Sequence, residues 1–181
     1  MAYAGLANKK VVAGLQARGM NACGLSGCDM GVIRSHKREV KEIDWGFVGD
    51  IDEVNAKVLA DLLERKVMPV LSPITFDCQG QLLNTNADSV AAAVAIALSR
   101  LHETELVFCF DKPGVLLDSE DDRSVIGELD REKYHAYLDQ GIIHSGMIPK
   151  LDNAFKTIDA GVKAVRLTNP ENLEGGTVVK G

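Results

Sequence analysis

The sequence predicts an α/β protein, an αβα sandwich built on a mainly parallel sheet. Three observations carry that prediction. Short apolar runs at 67–72, 105–110 and 163–168 alternate with segments of helical periodicity. Strands separated by helices of ten or more residues need crossover connections, which favour parallel pairing with helices on both faces. The run at 105–110, Glu105-Leu106-Val107-Phe108-Cys109-Phe110, has the composition of a strand covered on both faces. No internal repeat, low-complexity tract or linker divides the chain, so residues 1–181 are expected to form a single part.

The elements follow in order. Asn8 is a candidate N-cap for a helix that places Val11, Val12 and Leu15 on one face and closes at Gly19. A short strand over 21–25 runs into a glycine-rich loop, Gly24-Leu25-Ser26-Gly27. Residues 32–48 alternate weakly and predict an extended hairpin. A second helix starts near Asn55 and presents Val58, Leu59, Leu62 and Leu63 to a core; the strand over 67–72 then stops at Pro73. Residues 76–85 predict a tight hairpin turning at Gly80. The third helix, over 87–101, is apolar on every side between 91 and 98 and is expected to be covered on most of its circumference. Asp130 caps the fourth helix, Leu129 and Tyr134 form its hydrophobic staple, and Gly141 marks its exit. Pro149 opens the fifth, which carries Leu151, Ala154, Phe155 and Ile158 at core spacing and stops at Gly161.

Composition narrows the function. A net charge of −6 argues against nucleic acid as the main partner, because phosphate backbones are bound by basic faces. No apolar run approaches the ~20 residues of a membrane span, and no signal peptide is recognisable. Cys23, Cys28, Cys78 and Cys109 form no C-x-x-C pair and are expected to be reduced thiols of a cytoplasmic protein, with Cys109 packed as a small hydrophobe. His36, His102, His135 and His144 have no metal-ligand spacing, so no protein metal site is expected.

Ligands of open α/β sheets bind beyond the carboxyl ends of the strands. No G-x-G-x-x-G or G-x-x-x-x-G-K-[ST] motif occurs, which disfavours a Rossmann dehydrogenase and a P-loop NTPase. Three polar clusters remain. Asn84-Thr85-Asn86-Ala87-Asp88 opens a helix, either as helix capping, which needs only one of its two amides and one carboxylate, or as a ligand contact. Asp111-Lys112-Pro113-Gly114-Val115-Leu116 leaves a strand, as turn chemistry or as a ligand contact. In Ser145-Gly146-Met147-Ile148-Pro149-Lys150 a lysine sits in a first helical turn, which opposes the helix dipole and, beside free N–H groups, makes an anion site; a plain surface lysine is the alternative.

Together with Gly24-Leu25-Ser26-Gly27 and Gly46-Phe47-Val48-Gly49, these clusters resemble the amino-acid-kinase superfamily, and within it the acetylglutamate kinases. The resemblance covers nearly the whole chain, in the family's order and spacing. It implies an amino-acid-kinase-like fold that phosphorylates an N-acyl-glutamate on its side-chain carboxylate, with ATP and Mg²⁺ as donor. Asn84, with Asn86 beside it, then resembles the part that holds the acyl-glutamate. Asp88 resembles the aspartate that orients catalytic lysines, and Lys150 the lysine that neutralises the transferred phosphoryl group. The nucleotide pocket would comprise Asp111, Lys112, Pro113, Gly114, Val115, Leu116, Ile142, Ile143, His144 and Met147.

Three residues depart from the family pattern. Phe110 stands for a small hydroxyl residue, Lys112 for an apolar one, and Ser145 for a second glycine, which is expected to tighten the loop beside Lys150. The resemblance also implies that the family's first strand, phosphate loop and substrate-binding arginine precede the start of this chain, so the isolated chain is expected to be inactive. An N-succinyl-glutamate kinase, a sister kinase acting on carbamate, aspartate or a nucleotide, and a non-catalytic nucleotide-binding module stand as alternatives. A homo-oligomer is compatible with the resemblance.

Overall fold

The computed structural model describes residues 2–144 and 146–181. Ser145, expected to tighten the loop beside Lys150, lies outside the described residues. The chain divides into two compact units, Met1–Leu101 and His102–Gly181. Among the described residues, no helix is long and apolar enough to cross a membrane.

The first unit opens differently from expectation. Helix α1 (Asn8–Gln16) continues a π-helical stretch, Ala2–Ala7, so Asn8 lies inside a helix and caps nothing. Freed from capping, its side chain is buried at 5% exposure and its Nδ2 donates to the Val70 carbonyl at 2.7 Å. Val11 faces solvent, while Val12 and Leu15 are half-buried.

Strands β1 (Ala22–Leu25) and β4 (Met68–Leu71) pair in parallel, from Ala22 opposite Met68 to Leu25 opposite Leu71. The predicted hairpin exists with shifted bounds: β2 (Ile33–Lys37) pairs antiparallel with β3 (Gly49–Val54), and the intervening residues are irregular. A turn in which Gly46 N–H donates to the Asp44 carboxylate at 2.8 Å interrupts the extended run. Cross-strand ion pairs line this hairpin: Arg34–Glu53 at 2.7 Å, His36–Asp52 at 2.6 Å and Arg38–Asp50 at 2.6 Å. The Asp52 carboxylate, by hydrogen bond and by charge, raises the pKa of His36 above the ordinary imidazole value.

Helix α2 (Ala56–Glu64) is capped by Asn55, whose side chain accepts from Val58 N–H. Leu59 is buried as expected, but Leu63 is 40% exposed. β5 (Ile74–Phe76) and β6 (Leu82–Asn84) form the expected tight hairpin, completing a sheet of order β3-β2-β5-β6. Helix α3 (Ala87–Ser99) follows. Its apolar stretch is mostly half-buried rather than enclosed, with Val90 and Ala95 its buried residues. Leu25, Val32, Ile33, Leu59 and Val90 form the core that joins β1, β2, α2 and α3.

The second unit is a four-stranded sheet of order β7-β9-β10-β8. β7 (Glu105–Cys109) and β9 (Ala164–Thr168) run parallel in register from Glu105 opposite Ala164. β10 (Thr177–Val179) runs antiparallel to β9 and parallel to the two-residue β8 (Glu128–Leu129); neither was expected. β7 is not covered on both faces. Leu106 and Phe108 are buried, whereas Val107 and Cys109 are exposed, because alternate side chains of this outermost strand point to opposite faces. Cys109 is therefore an exposed thiol rather than a packed hydrophobe.

Helix α4 (Arg131–Asp139) is capped as predicted, with Asp130 accepting from Lys133 N–H at 2.8 Å and Leu129 and Tyr134 both buried. Helix α5 (Ile148–Asp159) has Pro149 in its first turn and buries Leu151, Ala154 and Phe155. The α/β class holds. Parallel pairs (β1–β4, β2–β5, β7–β9, β8–β10) stand beside antiparallel ones (β2–β3, β5–β6, β9–β10).

Candidate functional site

In the first unit, the chain leaving β1 is fixed atom by atom. Gly27 sits where no side chain fits: a Cβ there would lie 2.6 Å from the Ile33 carbonyl and 2.8 Å from the Thr75 backbone. Its N–H donates to the Ile74 carbonyl at 2.6 Å, and its own carbonyl accepts from Ile33 N–H at 3.0 Å. This clamp ties the loop to β2 and β5. Across it, Asp29 accepts from both Ser26 N–H, at 2.6 Å, and Ser26 Oγ, at 2.7 Å. These two bonds hold the Asp29 carboxyl below the usual carboxylate range.

Beside this loop lies a mostly apolar cavity of about 490 Å³, lined by Ser26, Phe47, Ile74, Leu82 and Asn84, among others. Its size suits a small molecule. Asn84 ends β6, exposed at the cavity wall, with its N–H bonded to the Phe47 carbonyl at 2.8 Å. The next residue, Thr85, is buried; its Oγ1 lies 2.8 Å from Thr75 Oγ1 and donates to the Gly49 carbonyl at 3.3 Å. This buried hydroxyl pair anchors the corner on which Asn84 and Asn86 stand.

The polar cluster then divides its labour. Asn86 is the cap of α3, its Oδ1 accepting from Ser89 N–H at 3.0 Å. Asp88 is half-buried in the first turn of α3, where a carboxylate favours the helix dipole. Asn84 is left at the cavity.

In the second unit, an almost wholly apolar slot of about 220 Å³ is lined by Lys112, Gly114, Val115, Leu116, Ile142, Ile143, His144 and Met147, with Ser119 and Gly146. Eight of the ten residues expected at a nucleotide pocket thus meet at one place. The other two, Asp111 and Pro113, belong to the turn leading into it, and Asp111 is exposed. Gly114 approaches its neighbours closely: a Cβ there would lie 2.8 Å from Val125 Cγ1 and 2.9 Å from Thr177 Oγ1. The same Thr177 hydroxyl accepts from Val115 N–H at 2.8 Å, so the unexpected strand β10 holds the slot's wall. Lys112 is already engaged. Its Nζ donates to the Ser119 carbonyl at 3.3 Å and to Asp122 at 3.0 Å, and Asp122 raises its pKa.

Lys150 is half-buried in the first turn of α5. The free N–H groups expected around it are not all free. Met147 and Ile148 N–H donate to the His144 carbonyl at 2.9 and 3.4 Å, and Lys150 and Leu151 N–H donate to the Met147 carbonyl at 3.1 Å. A turn wound onto the helix start uses these amides, so any anion there would rely on the lysine charge more than on the helix terminus. Ser26 and Thr85 lie in motifs the sequence singles out, without a role assigned to them, whereas Asp29 and Thr177 lie in none. The glycine-rich signal at Gly24 to Gly27 pointed to Ser26, but nothing local pointed to Thr177.

Comparisons with known proteins identify the family. Residues 1–169 match the amino acid kinase family. An acetylglutamate kinase of Parabacteroides distasonis is 56% identical over 176 residues, covering 97% of this chain and 69% of that protein. An acetylglutamate kinase of Bacteroides thetaiotaomicron is 56% identical over 168 residues, covering 93% of this chain and 65% of that protein. The chain thus spans about two thirds of the length of these curated relatives. A solved structure from Streptococcus mutans UA159 superimposes with a TM-score of 0.80 at 29% identity, covering 99% of this chain and 69% of that one. With a family match over most of its length, identity above one half to named kinases and a shared fold, the chain belongs to the amino acid kinase family.

Proposed function

We propose that the chain is the nucleotide-binding part of an ATP-dependent kinase that phosphorylates the γ-carboxylate of N-acetyl-L-glutamate, a step of arginine biosynthesis. The observation that carries this reading is the convergence of Val115, Leu116, Ile142, Ile143, His144 and Met147 on one apolar slot, with Lys150 in the helix that follows it. An apolar slot of that size accepts the flat base of a nucleotide. A lysine nearby compensates phosphoryl charge.

The chemistry needs little else. A γ-carboxylate is ionised at neutral pH and attacks the terminal phosphorus of ATP directly. The new O–P bond makes an acyl phosphate while the bridging P–O bond breaks and ADP leaves. Positioning and charge compensation dominate such transfers, so no general base is required. In this reading Asn84 holds the acyl-glutamate, Asp88 orients the lysines and Lys150 stabilises the transferred group. Among the described residues, no group of three or more His, Cys, Asp or Glu side chains could hold a metal ion. Mg²⁺ would be carried on the phosphates of the nucleotide, its usual mode in phosphoryl transfer.

The test is a phosphoryl-transfer assay with N-acetyl-L-glutamate and ATP. It uses the chain as it stands and a version extended upstream to the full length of the curated relatives. Acyl phosphate, trapped as the hydroxamate, is expected together with ADP, and Lys150→Ala is expected to lower kcat by about 100-fold or more. ATP binding without turnover in either form would make the chain a non-catalytic module. Turnover untouched in Lys150→Ala would remove that residue from the mechanism.

A further inference from the structure

The polarity of a single hydroxyl at the first unit's cavity can be read from its partners. Ser26 Oγ lies 2.7 Å from Asp29 Oδ2, and the same carboxylate oxygen takes Ser26 N–H at 2.6 Å. A carboxylate only accepts, so the hydroxyl proton of Ser26 is committed to Asp29. Cys28 Sγ lies 3.2 Å from the same Ser26 Oγ. With the serine proton already placed, the thiol is the donor of that contact. The hydroxyl is thus left with one lone pair and no proton to offer a ligand in the cavity that Ser26 lines with Asn84.

The geometry points to Ser26 as a specificity-determining residue that accepts the amide N–H of the N-acyl group, with Asp29 as its positioning residue. This inference rests on the proposed acyl-glutamate substrate. At neutral pH that molecule has two carboxylates and an acyl carbonyl, all acceptors, and one donor, the amide N–H. A site that presents an oriented acceptor next to the apolar walls of Phe47, Ile74 and Leu82 is matched to an acylated amine. The apolar walls take the acyl methyl, and the serine oxygen takes the hydrogen beside it. A free ammonium would have to shed most of its hydration in a largely apolar cavity, with one neutral acceptor in return.

The experiment compares N-acetyl-L-glutamate with its ester analogue, (2S)-2-acetoxyglutarate, which replaces the amide N–H by an oxygen. Both are measured for kcat/KM in the extended version used above. The parent protein is expected to favour the amide by at least tenfold, since the ester loses one hydrogen bond and sets two lone pairs against each other. In Ser26→Ala the ratio is expected to fall close to one, chiefly through KM for the amide, with KM for ATP unchanged. Asp29→Asn, which no longer dictates the direction of the serine hydroxyl, is expected to give an intermediate ratio. A variant damaged only in folding would lose both substrates together and keep the ratio. Full discrimination surviving in Ser26→Ala overturns the inference while leaving the kinase reading intact. A parent protein inert toward both compounds overturns the kinase reading itself.

Discussion

The two units meet the same problem, holding polar residues at the start of a helix, and solve it in opposite ways. In the first, side chains do the work: Asn86 caps α3, and the buried Thr75–Thr85 hydroxyl pair fixes the corner before it. In the second, α5 has no side-chain cap among the described residues; the turn at His144 and Met147 supplies carbonyls for its first amides, and Pro149 contributes a residue without an N–H. A side-chain cap leaves the strand end fixed and polar. A backbone-wound start leaves apolar side chains such as Met147 free to line a slot. The difference teaches that helix starts in one chain can be built in different ways beside cavities of different lining.

The same contrast appears in the close-packed glycines, and it can be broken experimentally. A Cβ at Gly27 meets backbone atoms at 2.6 and 2.8 Å, whereas at Gly114 it meets the side chains of Val125 and Thr177 at 2.8 and 2.9 Å before any backbone. Backbone cannot turn aside, so Gly27→Ala is expected to cost about 3 kcal/mol or more and Gly114→Ala about 1–2 kcal/mol. Urea unfolding of both variants checks the order. Equal costs would show that the slot wall is as unyielding as the clamp on the first unit's loop.

A smaller effect sharpens the capping contrast. Asn86→Ala removes the side chain that accepts from Ser89 N–H at the start of α3, and is expected to cost about 1 kcal/mol. Met147→Ala removes no cap and should spare the stability of the first unit. Proteolysis within α3 in Asn86→Ala, absent in Met147→Ala, is the expected signature.

The smallest effect lies at Tyr134, whose hydroxyl donates to Asp152 at 2.8 Å and whose ring packs on Phe155 at 5.2 Å between centroids. Burial, reinforced by the bond to Asp152, pushes its pKa up to about 12. A pKa raised above its unfolded value of about 10 contributes stability that is complete below pH ~10 and is lost as pH rises toward 12. Tyr134→Phe is expected to cost about 1 kcal/mol at neutral pH and to flatten the alkaline loss of stability. Thermal unfolding between pH 9 and 11.5, with absorbance titration of the tyrosines, tests both.

Much of this was legible in the sequence where the signal is local. Asp130 with Leu129 and Tyr134, and Pro149 with the spacing of Leu151 and Phe155, announce α4 and α5 within a few residues. β8 and β10, two and three residues long, were not legible, because their pairing joins positions about fifty residues apart. Asn8 misled because a residue type favoured at caps is equally able to bridge two elements from inside a helix. Cys109 misled because an apolar run does not reveal that its strand is outermost in its sheet. Asn84 and the 111–116 segment were visible as polar strand ends, but their grouping into pockets came from a family resemblance. The proton direction at Ser26 emerges only from three-dimensional contacts.

One feature of the hairpin between β2 and β3 reaches beyond the site. β3 is the terminal strand of its sheet, and it carries Asp50, Asp52 and Glu53, paired to Arg38 just past β2 and to His36 and Arg34 on β2. An outermost strand presents unsatisfied backbone groups on which another chain could template itself, and a row of acidic side chains repels any copy of the same strand. Charged side chains on such an edge disfavour its pairing with a second copy, a property of the population of molecules rather than of any one of them.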